Sequence, residues 1–280
     1  MSRYPKIELD GAIVAVTGAA RGIGLATAKA FVAEGARVAM GDLDEDIVKE
    51  AAAALGFAAS GHRLDVTDAE SSAEFLSSAE QVHGGPVDVL DNNAGVMPNG
   101  AFLDQTETMD RLTMDVNVQG VINGMRAALP GMIERRRGHV VNVASLAGKF
   151  PIKGLAVYNA SKFAIVGLTA ATRLEYDATG VSISAVLPSI VRTELSSGID
   201  YSGMPAVEPE AIAAAVVRSV RTREGEIAVP GYVGKVLLAS TLMPEPVMRR
   251  VRRLLKDDRA ITAVDVDERR AYLDRIENQK

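Results

Sequence analysis

Short apolar segments alternate along this chain with stretches of helical spacing, and this alternation constrains the fold more than any other feature. Strands joined by helical crossovers must pair in parallel with their neighbours. The segments are nearly continuous apolar runs, which is typical of strands buried on both faces. Six of them lie at residues 12–18, 36–42, 61–66, 87–95, 138–145 and 181–188, and a seventh near 226–229 would complete the sheet.

The pattern predicts the α/β class, with a doubly wound parallel sheet of about seven strands and helices on both faces. The chain has 280 residues, of which 48% are hydrophobic and 24% charged, and this is enough apolar material for one large core. We expect a single domain at residues 1–243 and a charged, helical C-terminal extension at 244–280, after a compositional break at the two prolines of 244–246.

Composition also excludes several classes of function. The net charge of −5 leaves no global basic field for nucleic acid, and the absence of cysteine excludes disulfides, thiolate metal sites and a cysteine nucleophile. The three histidines are scattered, so we expect no metal site. Neither a signal-peptide run nor an apolar stretch of membrane-spanning length occurs, and we expect a cytoplasmic protein.

A glycine-rich turn, TGAARGIG, follows the first strand directly and leads into a helix. Gly18, Gly22 and Gly24 allow the backbone to turn sharply and to approach a pyrophosphate, whose charge would lie at the helix N-terminus. This position between strand and helix favours dinucleotide binding and a sheet of the Rossmann type.

Asp42, at the end of the second strand, predicts which dinucleotide is bound. A carboxylate there can accept both ribose hydroxyls of NAD and would repel the additional phosphate of NADP, so we expect NAD rather than NADP. Two alternatives remain open. Asp42 could instead cap a helix that begins near Asp44, and Arg21 could weaken the preference for NAD by offering a cation.

Tyr158 and Lys162 lie four residues apart in the segment YNASK, thirteen residues after Ser145. This spacing places both side chains on one helix face, one turn apart. A phenol titrates near ~10 and is a poor base at neutral pH unless a cation stabilises the phenolate. The pair therefore indicates a device for proton transfer.

In these and further motifs the chain resembles the short-chain dehydrogenase/reductase family, in its single-domain branch. The resemblance covers residues 10 to about 230 and implies a hydride-transferring oxidoreductase. It rests on the order and spacing of TGAARGIG, Asp65–Val66, NNAG at 92–95, Asn117 in MDVNVQG, Ser145 in NVASLAG, YNASK, and LPSIVRT at 187–193.

The resemblance implies a catalytic role for each of four residues. Tyr158 would be the general acid and base, and Lys162 would lower the pKa of Tyr158 and bind the nicotinamide ribose. Ser145 would stabilise charge on the substrate oxygen, and Asn117 would hold a water that links Lys162 to solvent. The alternatives are a Ser145 that only forms a turn at a strand end, and an Asn117 that only binds local backbone.

The resemblance also implies the residues that contact the cofactor and the substrate. The cofactor contacts are Gly18, Arg21, Gly22, Ile23, Gly24, Asp42, Asp65, Val66, Asn93, Ala94, Gly95, Tyr158, Lys162, Pro188, Val191 and Thr193, and the substrate contacts are Ser145, Tyr158 and Leu195. For Asp65 and Val66 the alternative is a strand end followed by a helix cap at Thr67 or Asp68.

Two residues depart from the family pattern. Asp91 replaces an apolar residue before NNAG, and a buried carboxylate there would need a cationic partner or would be protonated. Ser189 follows Pro188 where the family has glycine, so the local turn could differ.

The resemblance places a substrate lid at about 194–207. Its apolar residues Leu195, Ile199, Tyr201 and Met204 face a second expected wall formed by Leu146, Phe150, Ile152 and Leu155. We therefore predict an NAD(H)-dependent oxidoreductase that interconverts a secondary alcohol and a ketone, with an apolar substrate. The alternative is a catalytically silent dinucleotide-binding regulatory or scaffold protein.

Two expectations concern association. The family implies a homodimer or homotetramer formed through long helices near 103–136 and 156–179. The segment 247–256 predicts a basic amphipathic helix, and we expect its apolar stripe to pack on this or a neighbouring subunit. Contact with an anionic membrane surface is the alternative that we do not favour.

Overall fold

Seven parallel strands form the central sheet, as the alternation of segments predicts. The computed structural model describes residues 4–200, 206–234, 244, 246, 249–250 and 259–278. The sheet has the order β3-β2-β1-β4-β5-β6-β9, and a separate two-stranded pair is formed by β7 and β8. The strands are β1 Ile13–Thr17, β2 Arg37–Asp42, β3 Ala59–Arg63, β4 Val89–Asn92, β5 Gly138–Val143, β6 Val181–Pro188, β7 Ile190–Val191, β8 Ala206–Val207 and β9 Glu226–Val229.

Helices cover both faces of the sheet, which makes it doubly wound. One face packs against α1, α2 and α7, and the other packs against α3, α5 and α6. Both faces of β1 are apolar, so both need a helical cover. Val14 and Val16 pack in the layer of α1, α2 and α7, whereas Ile13 and Ala15 pack in the layer of α3, α5 and α6. The helices are α1 Gly22–Ala33, α2 Glu45–Ala53, α3 Ala69–His83, α4 Glu107–Met114, α5 Gly120–Glu134, α6 Ala156–Glu175, α7 Pro209–Thr222, α8 Arg259–Thr262 and α9 Val266–Asn278.

The third strand differs from the prediction of 61–66, because it begins at Ala59 and ends at Arg63. The carboxylate of Asp65 accepts hydrogen bonds from the backbone amide of Thr67 at 2.9 Å and from its hydroxyl at 2.7 Å, which turns the chain away from the sheet. β3 is an edge strand that pairs with β2 alone, so its residues need not form an apolar run.

The described part of the C-terminal extension packs against the loops at the carboxyl ends of the strands. Ile199 and Val264 form an antiparallel bridge, and the amide of Asn99 donates to the carbonyl of Ala260 at 2.8 Å. Most of the segment 247–256, as well as Tyr201 and Met204 of the expected lid, lies outside the described residues. Within the described helices, none has the length and apolar character needed to cross a membrane.

Candidate active site

The glycine turn between β1 and α1 has the tight geometry that its sequence predicts. Gly18 and Gly22 have positive φ values of 65° and 55°, which favour glycine. A Cβ atom at Gly24 would lie 2.2 Å from the carbonyl oxygen of Gly18 and 2.6 Å from the side-chain nitrogen of Asn93. Because both contacts involve fixed groups, α1 approaches the sheet this closely only with glycine at position 24.

The N-terminus of α1 fits an anion. Arg21 is the N-cap residue, but its side chain makes no capping hydrogen bond, and the first turn contains no acidic residue. The first amides of the helix therefore receive no side-chain acceptor from the cap, and the positive end of the helix dipole is not opposed by a carboxylate in that turn. Together with the glycine turn, this geometry fits a dinucleotide pyrophosphate.

Asp42 lies beside this turn, at the end of β2. Its carboxylate accepts the backbone amide of Ala20 at 3.0 Å and that of Asp44 at 3.2 Å. α2 begins at Glu45 with Asp44 as its N-cap residue, so Asp42 does not bind the second or third helix amide, as a capping side chain would. The carboxylate instead ties the glycine turn to the end of β2.

Four charged residues form a cluster next to Asp42. Arg21 pairs with Asp44 at 2.7 Å, and Arg275 of α9 pairs with Glu194 at 2.8 Å. Longer contacts of 3.7 Å between Arg21 and Glu194 and 4.0 Å between Arg275 and Asp44 close the cluster. The cation of Arg21 is thus already engaged by carboxylates, which the sequence pattern alone did not indicate.

The segment after β4 is held to the glycine turn by Thr17. The Thr17 hydroxyl oxygen accepts the amides of Asn93 at 3.0 Å and Ala94 at 3.1 Å. The side chain of Asn93 donates to the carbonyls of Thr17 at 2.9 Å and Gly18 at 3.0 Å. These bonds fix the ends of β1 and β4 relative to each other. Gly95 follows, and a Cβ atom there would lie 3.2 Å from the Oδ1 atom of Asn117 and 3.7 Å from the Nζ atom of Lys162.

Tyr158 and Lys162 both lie on α6 and both are buried, with 8% and 5% exposure. The Lys162 Nζ atom lies 5.7 Å from the centroid of the Tyr158 ring and donates to the carbonyl of Val143, at the end of β5, at 3.0 Å. Burial lowers the pKa of Lys162 from its ordinary 10.5 to about 8. The cation and the phenol therefore share a poorly solvated space, where their electrostatic interaction is strong.

Asn117 lies in a π-helical turn, Asp115–Gln119, between α4 and α5. Its Oδ1 atom accepts the amide of Val96 at 2.8 Å, and its Nδ2 atom donates to the carbonyl of Val96 at 2.9 Å and to the Ser161 hydroxyl at 3.0 Å. The Ser161 hydroxyl donates to the carbonyl of Tyr158 at 2.7 Å. Asn117 thus binds distant rather than local backbone. Ser161 was missed by the sequence argument, although it lies within YNASK.

Ser145 follows β5 and is half-buried. Its hydroxyl oxygen accepts the amide of Ala147 at 3.0 Å, which caps the short turn Leu146–Gly148, and it donates over 3.5 Å to the carbonyl of Pro188. The turn role that the sequence left open is therefore present. The hydroxyl also remains at the same edge of the sheet as the end of β6.

Asp65 and Val66 lie farther along this edge, after β3. Asp65 closes its own turn, whereas Asp68 caps α3 by accepting the amide of Glu70 at 2.9 Å. The carbonyl of Val66 accepts the side-chain amide of Asn123 at 2.9 Å. Asp68 is thus the N-cap residue of α3, as the alternative expected, whereas Asp65 and Val66 do not cap this helix.

The remaining expected contacts cluster near the glycine turn and β6. Ile23 packs against the α1 side of the core, and Pro188 ends β6. Val191 is buried, and its carbonyl accepts the Ser196 hydroxyl at 2.7 Å. A Cβ atom at Gly22 would lie 3.4 Å from the Thr193 methyl carbon, so Thr193 is adjacent to the turn.

An apolar cluster surrounds Tyr158. Its buried members are Met97, Ala147, Leu155, Tyr158, Ile199 and Ala260, and Ile152 and Leu195 pack against them. Leu155, Ile152, Ile199 and Leu195 were expected in the pocket walls. Leu146 was wrongly placed there, because its side chain packs into the core layer of α3, α5 and α6. Met97, Ala147 and Ala260 were missed.

The two departures from the family pattern have clear structures. Asp91 is fully buried in β4, neither of its carboxylate oxygens has a hydrogen-bond partner, and burial raises its pKa to about 8. Of the two alternatives, a cationic partner or a protonated carboxyl, the raised pKa favours the protonated carboxyl at neutral pH. The amide of Ser189 donates to the carbonyl of Val229 at 2.8 Å, and Ser189 is not among the described non-glycine residues with positive φ.

Comparison with known proteins agrees with this geometry. The model of the short chain dehydrogenase family matches residues 12–201. 17-beta-hydroxysteroid dehydrogenase 13 of Rattus norvegicus is 31% identical over 252 residues, which cover 88% of this chain and 84% of that protein. 2-(S)-hydroxypropyl-CoM dehydrogenase 3 of Xanthobacter autotrophicus is 41% identical over 188 residues, which cover 66% of this chain and 73% of that protein.

Two further proteins extend the comparison. A protein of Mycobacterium tuberculosis with the name "Probable oxidoreductase EphD" is 38% identical over 213 residues, which are 74% of this chain but only 36% of that longer protein. A short chain dehydrogenase/reductase of Burkholderia phymatum, solved in complex with NAD, has a TM-score of 0.75 at 24% identity and shares the fold over 82% of this chain and 93% of its own. With a family model that matches more than half of its length, the chain belongs to the short-chain dehydrogenase/reductase family.

Proposed function

We propose that this protein is an NAD(H)-dependent oxidoreductase that interconverts an apolar secondary alcohol and the corresponding ketone. The buried pair of Tyr158 and Lys162 carries the proposal. A protein that only binds a dinucleotide has no need of a lysine that is desolvated beside a phenol, because burying its charge costs free energy.

Tyr158 exchanges a proton with the substrate oxygen. It donates the proton when a ketone is reduced and accepts it when an alcohol is oxidised. Lys162, close to the phenol ring, favours the phenolate form by its charge. Ser145 donates a hydrogen bond to the same oxygen and stabilises charge that develops on it.

Asn117 orders the opposite side of this site. Through Val96 and Ser161 it ties the loop after β4 to the first turns of α6. We propose that its position near Lys162 holds a water through which the lysine exchanges protons with solvent.

The bound dinucleotide supplies or accepts the hydride. Gly18, Arg21, Gly22, Ile23 and Gly24 would hold its pyrophosphate, and Asp65, Val66, Asn93, Ala94 and Gly95 would line its adenosine half and the base of the site. Pro188, Val191 and Thr193 would position the nicotinamide carboxamide, and Tyr158 and Lys162 its ribose. The relative solved with NAD supports this class of cofactor.

A preference for NAD over NADP follows from charge. The carboxylate of Asp42 lies beside the turn and would repel a ribose phosphate. Arg21, the residue that could attract such a phosphate, is paired with Asp44 at 2.7 Å. The charge that could have favoured NADP is therefore largely neutralised.

The apolar cluster around Tyr158 supports an apolar substrate, and among the described lid residues it includes Leu195 and Ile199. Two relatives whose names denote a hydroxysteroid and a hydroxypropyl dehydrogenase are consistent with a secondary alcohol. We further propose one cytoplasmic domain at 1–243. We also propose a homodimer or homotetramer, because α6 exposes Phe163 and Leu174 to solvent in the single chain.

The test compares Tyr158→Phe with Tyr176→Phe, a half-buried tyrosine at the far end of α6. NADH and NADPH binding are measured by fluorescence, and turnover is measured with secondary alcohols from propanol to hydroxysteroids. We expect Tyr158→Phe to lose at least about 100-fold in kcat while NADH binding is retained, and Tyr176→Phe to behave as wild type. Full activity of Tyr158→Phe would refute the proton transfer by Tyr158, whereas a wild type that binds NADH but converts no alcohol would favour the silent binding protein.

A further inference from the structure

Arg269 of α9 is an arginine buried to 2% exposure in a chain region that the family resemblance does not cover. Its guanidinium donates to the carbonyls of Leu195 at 2.9 Å and Ser197 at 3.3 Å. It also donates to the carbonyl of Met97 and to the side-chain oxygen of Asn99. One side chain thus joins the loop after β4 to the segment after β7.

This set of acceptors suits arginine and no other side chain. A guanidinium carries five N–H donors in a rigid plane, whereas a lysine ammonium is a compact charge with three donors. The ring of Tyr272 lies 4.4 Å from the Arg269 Cζ atom, and its hydroxyl oxygen accepts the amide of Met97 at 2.9 Å. Both backbone groups of Met97 are therefore bound by α9.

The two joined loops carry walls of the apolar cluster. Met97 and Leu195 belong to the residues that surround Tyr158. The segment that contains Leu195 is tied to the tail at two more points. The backbone amide of Asp200 donates to the carbonyl of Ala263 at 2.9 Å, and the backbone amide of Asp265 donates to the carbonyl of Gly198 at 2.7 Å. The contacts of α9 and of the segment before it therefore hold these two loops together.

We propose that Arg269 is a positioning residue of the substrate site, which fixes the spacing of the apolar side chains that surround Tyr158. The inference rests on the proposed function, since it assigns Arg269 to the pocket of that reaction. The substrate class is that of the proposed reaction, an apolar secondary alcohol or ketone, and the tail contributes Ala260 of α8 to the cluster around Tyr158. Arg269 acts through Met97 and Leu195 and does not touch the reacting atoms.

The test replaces Arg269 by lysine and uses Arg270→Lys as the matched control, because Arg270 is the exposed neighbour on the same helix. Lysine keeps the charge but cannot reach all four acceptors. With cyclohexanol and NAD as the probe, we expect the KM for the alcohol to rise about 10-fold or more in Arg269→Lys. The NADH Kd should stay within about 2-fold of wild type, and so should kcat at each pH of its profile, because Lys162 and Tyr158 are held by other contacts.

Hydrogen exchange gives a second measure that needs no substrate. The amides of Asp200 and Asp265 should exchange about 10-fold faster or more in Arg269→Lys, whereas those of β5 should keep their protection. An unchanged KM in an active variant, or equally faster exchange in β5, would overturn the positioning role. If lysine prevents folding, Tyr272→Phe tests the same link, because it removes only the acceptor for Met97.

The two proposals fail in different ways. If wild type converts no alcohol but the loops lose protection selectively in Arg269→Lys, the proposed reaction is wrong and Arg269 still orders both loops. If wild type is active and Arg269→Lys matches Arg270→Lys in KM and exchange, the proposed reaction stands and the positioning role is wrong.

Discussion

Replacing Asp91 should stabilise the protein, and the gain should grow with pH. The side chain lies in β4 between Val16 of β1 and Val141 of β5, with no exposure and no hydrogen-bond partner for its carboxylate. Burial raises its pKa from 3.8 to about 8. The folded protein therefore keeps a proton that the unfolded chain releases between these two values.

The sign follows from this difference in bound protons. Stability falls as pH rises from about 4 to about 8, by roughly a factor of ten in the unfolding equilibrium constant per pH unit, and is constant above that range. At pH 7 the carboxyl costs on the order of 4 kcal/mol relative to a group that does not titrate. Asp91→Asn should remove the slope, and Asp91→Val should also remove the buried polar group.

The assay is urea unfolding followed by far-UV circular dichroism, at several pH values from about 5 to about 8 and at one protein concentration. The difference between wild type and Asp91→Asn cancels the titration of all other groups. We expect this difference to widen steadily with pH and Asp91→Val to be the most stable of the three at pH 7. Parallel pH profiles for wild type and Asp91→Asn would refute the reasoning.

Three further predictions follow from the site. Gly24→Ala should abolish NADH binding and destabilise the fold by about 1–3 kcal/mol, because its Cβ atom would meet the Gly18 carbonyl. The control is Gly167→Ala on α6, which should be neutral or stabilising by up to about 1 kcal/mol, because no atom lies near its Cβ position. Fluorescence titration with NADH and thermal unfolding check both variants. Lys162→Met should lose activity yet raise the free energy of unfolding by roughly 3 kcal/mol below pH 8. The reason is that the pKa of Lys162 is 10.5 in the unfolded chain and about 8 in the folded protein, so the folded protein holds the lysine proton less tightly. The gain in stability should vanish as pH rises from about 8 to 10.5, and a gain that persists above this range would contradict the prediction. Asp42→Asn should lower the ratio of the NADPH and NADH Kd values by about 10-fold or more, and an unchanged ratio would show that Asp42 does not select the cofactor.

The sheet could be predicted from sequence because buried parallel strands leave a strong pattern. Their continuous apolar runs and the helical stretches between them fixed six strands within a few residues, and β9 was predicted at its observed bounds. β3 was placed too late because an edge strand is half-exposed and Asp65 ends it by a side-chain turn. Such local competition between a turn and a strand has little periodicity to reveal it.

The tail shows why the rest could not be predicted. Arg269 binds mainly backbone carbonyls, and every residue has a carbonyl, so its partners leave no trace in the sequence. The charged cluster of Arg21 and Asp44 with Glu194 and Arg275 joins residues far apart in the chain, and charge composition alone does not pair them. For Asp91 the sequence left open whether the buried carboxylate has a cationic partner or is protonated, and only the packed core shows that neither carboxylate oxygen has a hydrogen-bond partner.

The π-helical turn at Asp115–Gln119 has a consequence for how this segment tolerates insertions and deletions. A π-turn accommodates one residue more than an α-helical turn, and each residue of an α-helix rotates the following side chains by about 100°. The five residues of this π-turn rotate the chain about as far as four residues of an α-helix, so deleting one of them would leave a regular helix with Met125 and Met132 of α5 still facing the core layer that they fill. Such a deletion would instead displace Asn117 from Val96 and Ser161, so the additional residue serves the site and not the core.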